Sequence, residues 1–196
     1  IQDALRKNIM IFWNVVKFYK MFNENPEAIE ELPKSENILD NWILLRLDQF
    51  LKEVSEAMDK YDLPAASKPV TGFIDDLSTW YIRRSRDRFK GDDAQDKESA
   101  METTGYVLVQ FSKVIAPIMP FIAERAWQTV TGNDFKDENK SEHLEDWPII
   151  ETKIDERIIK EMEVVRKIVE LGMAKRDEYG MKVRQPLASL KVSKLK

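Results

Sequence analysis

The chain contains no cysteine and a single histidine, His143. Disulfides, thiolate metal sites and a cysteine nucleophile are excluded, and so is a cluster of several histidines. A Ser-His-Asp site would have to use His143, which lies in a polar stretch and reads as a surface or loop-anchoring residue. No apolar run reaches the roughly 18 residues of a membrane-spanning helix, and no signal peptide opens the sequence. The 6 glycines are scattered singly, so no glycine-rich phosphate loop can form. Neither G-x-S-x-G nor H-E-x-x-H occurs. Carboxylates are abundant, but in a helical protein they form solvated faces, and no pair stands out as acid and base. No catalytic residue, metal ligand or cofactor site is expected in this chain.

What is present suits a folded helical protein. The 196 residues are 43% hydrophobic, too apolar for disorder and enough for one domain or one plus a small attachment. A soluble, intracellular, cytoplasmic protein and a monomer are the default expectations. The net charge of -4 argues against polyanion binding by the whole surface, yet says nothing of a local patch. The sequence opens on IQDALRKN without Met, already close to a helical pattern, and closes on KVSKLK. A piece of a longer protein is expected.

Apolar spacing predicts a first helix over about 3–22, with Leu5, Ile9, Phe12, Val16 and Tyr19 on one stripe. A second, about 36–61, carries Leu39, Ile43, Leu47, Phe50, Val54, Met58 and Tyr61, with Ser35 or Asn37 as cap. Asp62 and Pro64 suit the start of a third, disturbed by Pro69 and Gly72, firm from Phe73 and stopped by Gly91. A fourth covers about 97–116, with Met101, Val107 or Leu108, Phe111 and Ile115 inward. A fifth starts at Pro120 and closes at Gly132. The charged stretch NDFKDENKSEHLED reads as a loop, pinned back by Trp147-Pro148. From about 153 a sixth stripe, Ile154, Ile158, Met162, Val165 and Val169, runs to Tyr179-Gly180. MKVRQPLASLKV alternates like a short strand or hairpin. The expected architecture is an all-α bundle of about five helices over roughly 1–150, then a long linker helix leading into a small α/β element over roughly 151–196. Phe12, Trp42, Phe50, Phe111 and Trp127 sit at helical spacing and are expected in the core.

The stretch DLSTWYIRRSRDRFKG concentrates four arginines behind a Trp-Tyr pair. At about 100° per residue, Arg84 projects between Leu77 and Trp80, and Arg88 near Tyr81. Arg83 and Arg86 project onto the side of Asp76 and Thr79. Such a helix is buried in its first half and emerges in its second. Two roles are open to Arg84 and Arg88. They can pair internally with acids of neighbouring helices, Glu124 being the candidate, or contact phosphates while an aromatic stacks on an unpaired base.

FIDDLSTWYIRRSRDRF (73–89) resembles the anticodon-binding helical domain of class I isoleucyl-tRNA synthetases. LRKNIMIFWNVVKFYKMF, NILDNWILLRL, APIMPFIAERAWQ, HLEDWP and VRKIVELGMAKRDEYGMKVRQPLASLKV resemble other stretches of that family, in the family's order. The arginine run separates the isoleucyl pattern from valyl, leucyl and methionyl relatives, which remain the alternatives. A helical protein-interaction module without an RNA role is a further one. The resemblance implies docking of the isoleucine tRNA through its anticodon stem-loop, by Trp80, Arg83, Arg84, Arg86, Arg88, Lys90 and Asn14. In methionyl relatives the tryptophan matching Trp80 stacks on an anticodon base, and a polar or basic residue on the first helix, matching Asn14, assists. The family's HIGH-like and KMSKS-like signatures and its editing domain are absent from these residues. ATP and Mg would belong to the parent's catalytic domain, and the rest of the parent synthetase would be a partner. KVRQPL matches the family fully, and its implied role is structural.

Overall fold

Asn37, Asp62 and Asp93 each turn a side-chain oxygen onto the backbone N–H groups that follow, and each starts a helix. The structure, a computed structural model, describes residues 5–23, 25–27, 29, 31–134, 136–137, 139–149 and 155–192. A π-helical stretch, Leu5–Met10, leads into α1, Ile11–Lys20. The next helices are α2, Ile38–Asp59, and α3, Leu63–Asp75. A π-helical segment, Asp76–Ile82, continues α3 into α4, Arg83–Lys90. Then come α5, Ala94–Ile115, α6, Pro120–Thr131, a 3-10 turn at Glu142–Leu144, and α7, Arg157–Glu178. The chain divides into two compact units, Ile1–Ile154 and Asp155–Lys196.

The first unit is an all-α bundle built around α5. Every residue of α5 from Thr103 to Ser112 is buried, as a helix at the centre of a bundle must be. Phe12 of α1, Phe50 of α2 and Phe73 of α3 close on Phe111 of α5 at ring-centroid distances of 5.1, 5.2 and 4.9 Å. Trp42 and Trp127 are buried as their spacing predicted. α3 starts at Leu63 and runs through Pro69 and Gly72. The irregularity that these residues led one to expect lies further on, in the π-helical turns at Asp76–Ile82. Tyr61, counted in the α2 stripe, is 92% exposed with φ 56, because α2 ends before it and the chain reverses there into Asp62. Ile9 and Met101 are also less buried than their stripes implied. Trp147 does pin the loop, its Nε1 donating to Ser55 Oγ at 2.9 Å.

In the second unit, the outer part of the α7 stripe is exposed at Val165 and Val169; Ile154 lies outside the described residues. The β element expected over MKVRQPLASLKV is not formed, and no strand occurs among the described residues. A strand needs a partner ladder, and here the backbone bonds elsewhere. Arg176 Nη1 of α7 donates to the carbonyls of Lys182 and Gln185, both at 2.9 Å, and Gln185 N closes a turn onto Lys182 O. Pro186 has no N–H to offer. α7 and this segment bound an apolar groove of about 850 Å³ that includes Val164, Ile168, Leu171, Leu187 and Leu190.

Gly105 of α5 lies directly against Tyr19 of α1. A Cβ there would meet Tyr19 Oη at 2.5 Å and Ile29 Cδ1 at 2.7 Å. Alanine would gain about 1 kcal/mol of helix propensity, and overpacking would cost about 1–3 kcal/mol. Tyr19 is buried and held by Asn23, so the steric term is expected to win. Gly105→Ala should lower the urea midpoint at unchanged slope; a midpoint at or above wild type would mean the Tyr19 contact yields freely.

Candidate nucleic-acid interface

The arginine-rich helix is fastened to α2 at both ends by ion pairs with buried acids. Near its start, buried Asp76 accepts from Arg46 Nε at 2.9 Å. Near its end, Arg88 grips Asp40 through two hydrogen bonds, Nη1 to Oδ1 at 2.6 Å and Nη2 to Oδ2 at 2.8 Å. Arg88 Nε also donates to Asp96 Oδ1 at 2.8 Å. Asp40 is wholly buried and further accepts from Tyr81 Oη at 2.8 Å and Ser35 Oγ at 2.7 Å. As α2 advances from Asp40 to Arg46, its partners retreat from Arg88 to Asp76, so the two helices run antiparallel. Of the two roles open to Arg88, internal pairing is the one formed. Its partners are Asp40 and Asp96, not Glu124. Glu124 instead accepts from Ser141 Oγ and from the backbone N–H of Glu142.

This network shifts the charges it contains. Burial disfavours the charged form of Arg88, but the hydrogen bonds it donates to Asp40 and Asp96 outweigh it and hold its pKa above the ordinary value. The hydrogen bond from Arg88 holds the Asp96 carboxyl below the usual carboxylate range. Burial, then the negative charge of Asp40, pushes the Tyr81 phenol well up.

With Arg88 turned inward, the other cations of the run face out. Arg83, Arg84, Arg86 and Lys90 are exposed, with Asp87 the one acid among them. The Arg84 guanidinium lies over the Trp80 ring, 3.8 Å from its centroid, and Arg84 Nη1 donates to Thr79 O at 3.0 Å. The indole is thus held as a half-buried plate at the edge of the basic surface. Phe89, buried, packs edge-on against Phe18 of α1 at 5.0 Å, and the Arg86 guanidinium lies 5.7 Å from the Phe18 ring. α1 therefore borders the run. It carries no acid, exposes Asn14, Lys17 and Lys20, and sets Lys17 Nζ over the Trp13 ring at 5.8 Å.

Trp13, Lys17 and Lys20 were missed in the sequence; the signal available was the acid-free face of α1. Asp40 was missed as well, although a carboxylate inside an otherwise apolar helical stripe demands a buried cation. His143 is exposed on the 3-10 turn, its Nδ1 3.1 Å from Glu142 Oε1. Burial, then the neighbouring charge of Glu124, pushes the Glu142 carboxyl up to about 8.

Residues 40–192 match the family model described as the anticodon-binding domain of tRNA ligase. The chain belongs to that family. An isoleucine–tRNA ligase of Streptomyces coelicolor is 39% identical over 193 residues, covering 96% of this chain and 18% of the relative. That of Deinococcus radiodurans is 34% identical over 200 residues, covering 98% of this chain and 18% of the relative. That of Chlamydia trachomatis serovar L2 is 39% identical over 196 residues, covering 97% and 18%. This anticodon-binding domain thus spans about 18% of the length of the curated relatives it matches. Asn14 precedes the residues matched by the family model, whereas Trp80, the arginines and Lys90 fall within them.

Removing one partner of a buried ion pair leaves the other charge uncompensated, which costs about 3–5 kcal/mol. Asp40→Ala is expected to cost that much in urea unfolding, and Asp40→Leu combined with Arg88→Met to recover most of it. A single-mutant cost under about 1 kcal/mol would show that the pair is not what fastens the helix. The lowered Asp96 pKa fixes a sign: its stabilisation is present above the ordinary carboxylate value of about 3.9 and is lost as the pH falls below it. Asp96→Asn should therefore lower stability at neutral pH and flatten the acid limb of a stability–pH profile, and an unaltered limb would count against the pairing.

Proposed function

We propose that this chain is the tRNA-docking part of an isoleucine–tRNA ligase, a cytoplasmic monomer that charges its tRNA with isoleucine using ATP and Mg. The chemistry belongs to a catalytic domain outside these residues. One observation carries the reading. In a chain of net charge -4, a single helix end presents Arg83, Arg84, Arg86 and Lys90 beside a supported indole. Such a surface fits a folded RNA, whose phosphates meet cations and whose splayed loop bases stack on flat rings. Arg83, Arg86 and Lys90 hold phosphates, Trp80 stacks on a loop base, Arg84 backs the indole, and Asn14 offers a polar contact from α1. Arg88 positions the helix from inside. No helix among the described residues is long and apolar enough to cross a membrane. The bundle over about 1–150 does the docking. The segment from 151 onward links it to the rest of the synthetase, against which the apolar α7 groove would seat and the alternating C-terminal residues would find a strand partner.

The test is binding to tRNA bearing the isoleucine anticodon across a salt series. Each phosphate contact contributes roughly 0.7–0.9 to the log–log salt slope. Arg83→Ala with Arg86→Ala should weaken binding and reduce the slope by about 1.4–1.8. Trp80→Ala should cost about 1–3 kcal/mol and leave the slope nearly unchanged. If affinity and slope both survive the double arginine change, the phosphate role is wrong and the helical module binds something else.

A further inference from the structure

We propose that Glu124, Glu142 and His143 form a binding site for one divalent transition-metal cation of the zinc class. Glu124 stands on α6 and faces the 3-10 turn. Its Oε2 accepts from Ser141 Oγ at 2.8 Å and from Glu142 N at 3.0 Å, and its Oε1 accepts from Gln128 Nε2. The carboxylate therefore organises the turn, and in doing so draws a second carboxylate against itself. The Glu142 side chain is completely buried, and neither of its oxygens has a hydrogen-bond donor among the described residues. The nitrogen facing it is His143 Nδ1, 3.1 Å from Oε1. One ligand atom from each of the three residues falls within 4.8 Å of the others.

In a neutral imidazole protonated at Nε2, Nδ1 is an acceptor. The buried Glu142 oxygens then face the Nδ1 acceptor and the Glu124 carboxylate with no donor of their own, which is unfavourable unless a positive species sits there. Metal–ligand bonds of about 2.0–2.2 Å at tetrahedral angles place ligand atoms about 3.4 Å apart, which the 3.1 and 4.8 Å spans bracket. One imidazole with two carboxylates suits zinc, cobalt or manganese better than magnesium, which prefers oxygen and water alone. His143, 45% exposed, opens the site to solvent and leaves room for a water as fourth ligand. The single histidine excludes a multi-histidine cluster, not a mixed one. With no cysteine and no other histidine in the chain, any histidine-dependent site must be this one.

The metal-free 196-residue chain, stripped with chelator, is titrated with Co²⁺ by absorption and with Zn²⁺ by calorimetry and thermal unfolding. One Co²⁺ per chain, with visible d–d bands, and a rise in Tm with Zn²⁺ are expected. Both responses should vanish in His143→Ala and in Glu142→Gln, and persist in Glu98→Gln, an exposed carboxylate elsewhere. Metal-free Glu142→Gln should melt at or above wild type, because an amide relieves the carboxylate crowding; this separates lost ligation from lost folding. No bands and no Tm shift in the wild type would overturn the site and leave a shared proton between Glu142 and Glu124 in its place. Binding undiminished in His143→Ala would overturn it equally, as nonspecific carboxylate binding.

Discussion

Asp40 lies in the first turn of α2 without exposed surface, and its two oxygens accept from Arg88, Tyr81 and Ser35. A carboxylate so placed is unfavourable by itself, even with the positive end of the helix dipole nearby, since desolvation outweighs that field. It persists because Arg88 offers a planar fork that meets both oxygens at once. The consequence reaches beyond stability. Once Arg88 is drawn inward, the phase of α4 is set, and Arg83, Arg84 and Arg86 fall on its exposed side. The buried pair thus decides which guanidinium groups are structural and which are available.

The π-helical segment Asp76–Ile82 works on the same phase. It lets Leu77, Tyr81 and Ile82 remain buried while Trp80 stays half-exposed. π turns inside helices recur at functional sites because they shift which side chains share a face. Here the shift lies immediately ahead of the arginines. Arg46 holds the start of the segment through Asp76, so the irregular turns sit between two ion pairs to α2. Trp80 and Arg84 are therefore presented from a braced element, which lowers the ordering cost of binding.

Local signals made much of this legible. Capping residues, apolar stripes and the prolines and glycine around α6 gave the bundle, because each acts within a few residues of itself. Projection at a constant helical angle placed Arg88 beside Tyr81, and the two do share Asp40. What it could not supply was the partner, which lies 48 residues away in sequence. Glu124 was the wrong choice because its surroundings looked apolar along its own helix, while its true neighbours, Ser141 and Glu142, arrive from a loop. The C-terminal alternation failed for a related reason. Period-two patterning describes a strand's faces, but a strand exists only when another supplies its ladder, and Arg176 takes those carbonyls here.

An acidic chain with one basic face follows from the same arrangement of charge. Acids outnumber bases 35 to 31, so the long-range field of the domain is weakly repulsive toward a polyanion. At physiological salt that field is screened beyond about 8 Å, and within that distance the local surface decides. There the acid-free α1 and the outward cations of α4 outnumber the one exposed acid of α4, Asp87, while Asp40 and Asp96 are engaged by Arg88. On the proposed docking role, weak global repulsion combined with local attraction disfavours indiscriminate polyanion binding and favours a partner whose phosphates and bases fit this one face. Specificity for a folded loop can therefore arise without any excess of positive charge in the chain.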